Sequence, residues 1–364
     1  MKNYLEFEKN IAKLEKNLES LKDPYYNQGL SKVDTEKISK MQEEINNELK
    51  KIYQNLNPWE KTQVARHEDR PKSNFYIDRL FEDFVSLEGD RFYSEDKSVK
   101  TGFAKFNNIS VLVIGQDKGE DLNTRIEKNF GMMRPEGYRK SIRLMKLADK
   151  FNIPIIIFID TPGAYPGSGA EERGQAEAIA KSIQCSMEIT VPTISIIIGE
   201  GGSGGAIALA SSNKVLMLKN AIYSVISPEG CATILWRDPS KTLQAAQAMK
   251  LSADDLLELG IIDEIIKEPI GGAHRNKDEM LENIQISLKK NLSELLDLSR
   301  EEIFQNRKNK FLNIGRQKGF QGKIQNSNNL VMKKNFYDNY MVLLKKYKLP
   351  IFSIISLLLI FILL

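Results

Sequence analysis

The stretch Thr193-Ile194-Ser195-Ile196-Ile197-Ile198-Gly199-Glu200-Gly201-Gly202-Ser203-Gly204-Gly205-Ala206 decides the reading of this chain. Its first six residues include four isoleucines, a run suited to a strand covered on both faces. Five of the next seven residues are glycine, and Gly204 to Ala210 then reads as a helix. Glycines at such a turn let backbone approach a ligand with no Cβ in the way. The first amides of the helix lack intrahelical partners and point outward. Aimed at a carbonyl oxygen, they stabilise the anion that develops in a transition state. The plain alternative is a tight strand-to-helix turn without a ligand, for which five glycines in seven positions are more than is needed.

The next strand outward is Ile155 to Ile159, followed by Asp160-Thr161-Pro162-Gly163-Ala164-Tyr165-Pro166-Gly167-Ser168-Gly169-Ala170-Glu171-Glu172. A loop after the carboxyl end of a strand is where open α/β domains place ligands. Pro162 and Pro166 stiffen its path, and its glycines relieve crowding. Two such loops after adjacent strands can each offer an amide to one oxygen. The alternative for this loop is an ordinary rigid connection.

Further strands are expected at Ser110 to Ile114, Lys214 to Leu218 and Tyr223 to Ile226, with helices at Gly137 to Phe151, Glu172 to Glu188 and 278–308. This is α/β alternation in one layered domain over 73–277, followed by C-terminal helices over 278–320. Upstream, 1–72 reads as a helical arm and linker. Tyr4, Phe7, Ile11, Leu14, Leu18 and Leu21 form one apolar seam, and Ile38, Met41, Ile45, Leu49, Ile52 and Leu56 form a second, as in a helical hairpin. Residues 321–364 depart from the rest: a polar stretch, a lysine cluster, then Leu349 to Leu364 without a charge. Sixteen residues span about 24 Å as a helix, short of the roughly 30 Å hydrocarbon core. A membrane tether through 349–364, a non-native extension of the reading frame and a packed helix are the readings open for this tail.

Composition narrows the function. Hydrophobic residues are 41% and charged residues 27% of the 364, which excludes disorder and a multi-span membrane protein. The net charge of +4 is a property of the tail: 321–364 carry six lysines and one acid, so the body is near neutral and has no nucleic-acid footprint. No apolar run near Met1 suggests a secretory signal. Cys185 and Cys231 cannot build a disulfide framework or a four-cysteine zinc site, and His67 and His274 leave little for histidine-rich metal chemistry, so no metal is expected in this chain. Cys185 reads as core, and Cys231 as an inert thiol near the site.

The glycine run also satisfies G-x-S-x-G as Gly201-Gly202-Ser203-Gly204-Gly205, a nucleophile-elbow pattern. Ser203, then Asp238 or Asp263, then His274 would complete a serine hydrolase in the right order. That pattern arises easily by chance in a glycine run, and a surface or capping role is the plainer account of His274. Neither loop is a Walker A sequence, and neither gives a convincing G-x-G-x-x-G with a distal acid.

Long strings then carry a resemblance: Asn129-Phe130-Gly131-Met132, Pro135-Glu136-Gly137-Tyr138-Arg139-Lys140, Phe158 to Gly167, Gly169 to Gln175, Ile198 to Ala206, Tyr223 to Ala232, Ile234-Leu235-Trp236 and Pro269-Ile270-Gly271-Gly272-Ala273-His274-Arg275-Asn276. Over roughly 1–320 the chain closely resembles the carboxyltransferase alpha subunits of bacterial and plastid-type acetyl-CoA carboxylase. The resemblance implies a crotonase-like α/β fold with an N-terminal helical hairpin. It implies a beta subunit of related fold, carrying its own zinc ribbon, in an α2β2 heterotetramer, working with a biotin carboxyl carrier protein and biotin carboxylase. It also implies a cytoplasmic setting.

The reaction implied is carboxyl transfer from carboxybiotin on its carrier to acetyl-CoA, giving malonyl-CoA for fatty acid biosynthesis. It requires stabilising the ureido oxyanion of biotin and the enolate of acetyl-CoA. By resemblance, the biotin oxyanion falls to the backbone N–H groups of Gly204 and Gly205, with Gly163 or Ala164 facing them. Gly201, Gly202, Ser203, Tyr165, Pro166 and Gly167 are expected to contact the cofactor. Softer expectations are that Glu200 and Glu229 accept loop N–H bonds, that Arg173 pairs with Glu171, Glu172 or the beta subunit, and that Lys118 meets CoA phosphates or solvent. The competing readings are a crotonase-fold acyl-CoA hydratase or isomerase, a transferase for another acyl-CoA, the serine hydrolase, and a non-catalytic subunit.

Overall fold

The computed structural model describes residues 3–23 and 35–316. The expectations for residues 321–364, the membrane tether among them, lie outside the described residues. Among the described residues, no helix is long and apolar enough to cross a membrane.

Among the described residues, one mixed sheet of eight strands organises the body. The strands are β1 (Glu82–Ser86), β2 (Val99–Phe106), β3 (Ile109–Gln116), β4 (Ile155–Thr161), β5 (Thr193–Gly202), β6 (Lys214–Leu218), β7 (Ile222–Ser224) and β8 (Glu264–Ile266). They lie in the order β1-β2-β3-β4-β5-β6-β8, with β7 paired to the far end of β5. The first three strands form an antiparallel meander, and from β3 to β8 neighbours run parallel. Every residue of β4 and β5 is buried, which explains their isoleucine content: both faces need apolar cover.

The two faces can be told apart by register. Gly115 pairs with Phe158, so both point to one side, where Ser73 and Ile77 of the Ser73–Leu80 helix lie against Gly115 and Tyr76 stacks on Phe158. Gln116 points to the other side, which is covered by the helices Pro135–Lys150, Gln175–Glu188 and Ser203–Ala210.

The N-terminal seams meet as anticipated. Helices Lys9–Lys22 and Thr35–Gln54 bury Ile11, Leu18, Ile45 and Leu49 in a small core of their own. This pair is tied to the body through Arg275, which holds Glu15 at 2.7 Å and Glu8 at 2.9 Å.

Several elements differ from the sequence expectation. The 172–188 helix is split, because Gly174 takes φ +81° between Ser168–Glu172 and Gln175–Glu188. The 278–308 helix is two, Lys277–Leu296 and Arg300–Asn313, the second capped by Ser299. Strand β5 runs on through Gly202, and β7 is shorter than expected. Strands β1, β2 and β8 were not anticipated, since Glu82–Ser86 and Val99–Phe106 mix charges and glycine into their alternation and Glu264–Ile266 has only three residues.

Candidate active site

The carboxyl ends of β4 and β5 come together through an irregular pairing. Ile159 pairs with Ile197, but Thr161 pairs with Gly201. One residue of β4, Asp160, therefore faces three of β5: Ile198, Gly199 and Glu200. A bulge of this kind bends the strand and re-aims the residues beyond it. Two hydrogen bonds and one glycine hold it. Arg70 Nε donates to the Ile198 carbonyl at 2.7 Å. The Glu200 N–H donates to Asp160 Oδ1 at 2.9 Å. Gly199 leaves the room this needs, since a Cβ there would lie 2.6 Å from Asp160 Oδ1.

Beyond the bulge, Gly201 and Gly202 are buried strand residues, paired with Tyr223 and Ser224 of β7. A Cβ on Gly202 would fall 2.2 Å from the Pro162 carbonyl oxygen, so this glycine lets the two loops touch. Ser203 then turns the chain into the helix at φ +51°, a left-handed conformation uncommon for a residue with a side chain. Among the described residues, no side chain caps the helix that starts here. Gly204 is half-buried, and a Cβ on it would meet only Ile179, at 3.5 Å. At Gly205 a Cβ would lie 2.5 Å from the Gly163 carbonyl carbon and 2.9 Å from the Ala164 amide nitrogen. The first turn of the helix is thus pressed against the Gly163–Ala164 peptide.

The facing loop has its own constraints. The Gly163 N–H donates to Thr161 Oγ1 at 3.2 Å, and the Thr161 hydroxyl donates to the Gly163 carbonyl at 2.7 Å. The Tyr165 N–H is taken by the Met133 carbonyl at 3.0 Å. Between them, the Ala164 amide donates to no other described residue. Tyr165 packs under the Arg134 guanidinium, 4.4 Å from its ring centre, and Pro166 is exposed. Gly167 sits against the Tyr165 ring, where a Cβ would come within 2.4 Å.

Gln116 was not singled out from sequence. Fully buried at the end of β3, it donates from Nε2 to the Gly205 carbonyl at 2.9 Å and accepts the Asp160 N–H at 3.1 Å. It ties the glycine helix to the sheet.

A charged network lies behind the bulge. Arg66 reaches Glu200 and Glu229, each at 2.6 Å, and Lys118 reaches Asp160 at 2.6 Å and Glu200 at 3.6 Å. Burial alone would raise the Glu200 pKa; Lys118 and Arg66 outweigh it and hold the carboxyl below its ordinary range. Arg70 forms a buried two-bonded pair with Glu268, which is likewise held ionised against the cost of burial.

These placements change the expected roles of several side chains. Glu200 and Glu229 hold Arg66 through their carboxylates instead of accepting loop N–H bonds. Arg173 pairs with Glu136 at 2.6 Å and stacks over Tyr93, away from Glu171 and Glu172. His274 stacks on His67 with ring centres 3.9 Å apart. Its burial, with the positive charges around it, lowers its pKa to about 2.

A hydrolase triad is not assembled from the residues considered. Asp238 caps a surface turn, Asp263 is held by the Val215 N–H and Lys310, and His274 is engaged with His67. The donors of Glu8, His67 and His274 lie within 4.8 Å of one another, as a metal site would need. However, Glu8 is taken by Tyr53 and Arg275, and His67 by the Asp69 N–H and the Asn3 carbonyl. Cys185 is buried in its helix, and Cys231 lies on an apolar groove with Ile207 and Ile226. Burial raises both thiol pKa values, which keeps them unreactive.

The fold has solved counterparts. A crystal structure of the transcarboxylase 12S core superimposes with a TM-score of 0.53 at 18% identity, over 65% of this chain and 43% of that one. A second structure of the same core gives 0.52. The chain thus spans less than half of that protein, and the likeness supports the crotonase-like fold alone.

Sequence goes further. A family model described as acetyl co-enzyme A carboxylase carboxyltransferase-like matches residues 4–315. The chain belongs to the acetyl-CoA carboxylase carboxyltransferase family. It is 70% identical over 335 residues, 92% of this chain and 91% of the relative, to the acetyl-coenzyme A carboxylase carboxyl transferase subunit alpha of Pelagibacter ubique. It is 51% identical to the protein of that name from Cereibacter sphaeroides, over 86% of this chain and 98% of the relative. The glycine turn after β5 and the loop after β4 both lie within the stretch that the carboxyltransferase family model matches.

Proposed function

We propose that this chain is the alpha half of a two-chain carboxyltransferase that moves a carboxyl group from biotin on a carrier protein to acetyl-CoA, forming malonyl-CoA. The observation that carries the site is the contact across Gly205, where an uncapped helix start meets an Ala164 amide with no other described partner.

Carboxylated biotin supplies the carboxyl group when bound. The chain's own contribution is backbone. The Gly204 and Gly205 amides at the helix start, and the Ala164 amide across from them, donate hydrogen bonds to an oxygen on which negative charge grows. Each donor of this type is worth about 2.7–4 kcal/mol of barrier lowering. The Gly163 N–H, already given to Thr161, serves the loop, which makes Ala164 the facing donor. The open side of Gly204 gives a flat ring room to approach, which fits a ureido ring. The helix start adds a favourable partial charge for an anion. Gly201, Gly202 and Gly167 act by allowing close packing, and Tyr165 and Pro166 form the outer wall of the loop.

The acyl-CoA is held mainly by the partner, so the working enzyme is an α2β2 assembly served by the carrier protein and biotin carboxylase. We place this assembly in the cytoplasm, the setting that the family resemblance implies.

The test is malonyl-CoA formation from this chain with its beta partner, carboxylated carrier and acetyl-CoA. Turnover that requires both chains supports the proposal. A complex of confirmed composition that makes no malonyl-CoA refutes it.

A further inference from the structure

A small cavity of about 200 Å³ opens beside Pro162, lined in part by the charged network itself. Arg66, Arg70, Lys72, Lys118 and Arg125 line it, together with the carboxylates of Asp160 and Glu200. Three of the five are committed. Arg70 belongs to Glu268, Arg66 to Glu200 and Glu229, and Lys118 to Asp160.

The other two have capacity to spare. Lys72 is buried, its side chain only 7% exposed, yet among the described residues its ammonium makes one hydrogen bond, 3.2 Å to a Glu120 that is 65% exposed. Arg125 comes no closer than 3.7 Å to Glu68, itself 68% exposed, and its guanidinium makes no hydrogen bond with another described residue. Ion pairs with such solvated acids are weak. A buried ammonium with two donors that no described residue takes is costly unless something else takes them. Phe130 and Pro162 add apolar surface to the same cavity.

Resting on the function proposed above, we infer that this cavity is a subsite for one compact anionic oxygen group of a substrate, gripped by Lys72 and Arg125. The volume admits a single phosphate or carboxylate with its close waters. The chemistry is shared by two sources: a phosphate of the thioester's carrier moiety and the carboxylate on the donor.

The experiment uses the complete alpha-beta complex with Lys72→Met, Arg125→Gln and the double variant, and Lys72→Arg as the charge-preserving control. KM is measured for acetyl-CoA, for S-acetylpantetheine, which has no phosphate, and for carboxylated biotin carrier. Pyrophosphate and malonate are titrated directly by calorimetry, which needs no turnover. A charge-assisted hydrogen bond lost at binding raises KM about tenfold or more. A rise for acetyl-CoA with S-acetylpantetheine unchanged, and weaker pyrophosphate binding, supports the subsite and identifies the phosphate. A rise for the carboxylated carrier, with weaker malonate binding, supports it and identifies the carboxylate. In both cases kcat holds and Lys72→Arg recovers most of the loss. Unchanged KM for every substrate together with unchanged titration of both anions overturns the subsite. A wild-type complex that does not turn over removes the functional reading, and the titrations then decide the subsite alone.

Discussion

Gly205→Ala is a direct perturbation of the proposed donors. The new methyl group lies 2.5 Å from the Gly163 carbonyl carbon and 2.9 Å from the Ala164 nitrogen, both backbone atoms. Moving from 2.5 Å to the 3.4 Å of ordinary contact needs about 0.9 Å of separation. Neither side yields freely. The Gly205 carbonyl is held by Gln116 at 2.9 Å, and the Tyr165 N–H by Met133 at 3.0 Å. The displacement therefore falls on the amides that face each other. A misplacement of about 1 Å can cost roughly 100-fold in rate, similar to removing one donor. The expected result is a fall of about 100-fold in kcat for malonyl-CoA formation by the reconstituted complex. Overpacking adds about 1–3 kcal/mol of lost stability. Gly204→Ala is the stability control, since its methyl group would sit in ordinary contact 3.5 Å from Ile179. A Gly205→Ala complex with wild-type kcat would refute the placement of the donors.

Ser203→Gly separates the transferase from a hydrolase: glycine accepts φ +51° without strain, so turnover should stay within about twofold, and a loss of about 100-fold would point to the hydroxyl as a reactant. Arg307→Met should lower stability by about 3 kcal/mol or more, read as a urea midpoint shift at constant m, because the buried guanidinium serves the carbonyls of Ser186, Ile189 and Val191 and the Asn213 side chain. Lysine should not rescue it, having no planar fork to span those acceptors. His274→Phe keeps a ring against His67 but removes a group whose folded pKa is depressed from 6.5 to about 2. In the unfolded chain this histidine gains a proton as pH falls through 6.5, while the folded one stays neutral, so the stability present above 6.5 is lost on acidification. Between about pH 7.5 and 5.5 the wild type should lose about 1.4 kcal/mol more than the variant, measured by urea unfolding at each pH. Equal losses would show that His274 protonates in the folded protein.

The legibility of these features follows their range in sequence. Strands β4 and β5 were readable because burial on both faces leaves a local mark, a run of isoleucines. The glycine turn was readable because close approach leaves no room for a Cβ at Gly199, Gly202 and Gly205. Strands β1 and β2 left no such mark, because Lys100 and Lys105 lie along β2 and pair with Asp78 and Asp83, so charge interrupts the apolar alternation. The break at Gly174 is a single residue in an otherwise helical pattern. The partners of Glu200, Arg173 and His274 were not readable at all. Arg66 stands 134 residues from Glu200 in sequence, and only the fold brings them together.

That long-range network accounts for what the glycine loop cannot do alone. A run of glycines has the largest conformational freedom to lose on folding, so the sequence that opens the site to a ligand also weakens its hold on one geometry. The constraint comes from outside the run. Asp160 takes the Glu200 N–H, Arg70 takes the Ile198 carbonyl, and Gln116 takes the Gly205 carbonyl. Those three side chains grip the backbone at both ends of the bulge and in the first turn of the helix beyond it, and each is in turn fixed: Asp160 by Lys118, Arg70 by Glu268, and Gln116 by the Asp160 N–H. Pre-organised donors lower a barrier because they need no rearrangement as charge develops. Gln116→Leu, which leaves every glycine in place, should therefore lower kcat while sparing the KM for acetyl-CoA, because it frees the first turn of the helix without touching the thioester. A KM change at constant kcat would instead place Gln116 in substrate binding, and would mean that the glycine turn keeps its aim by some other restraint.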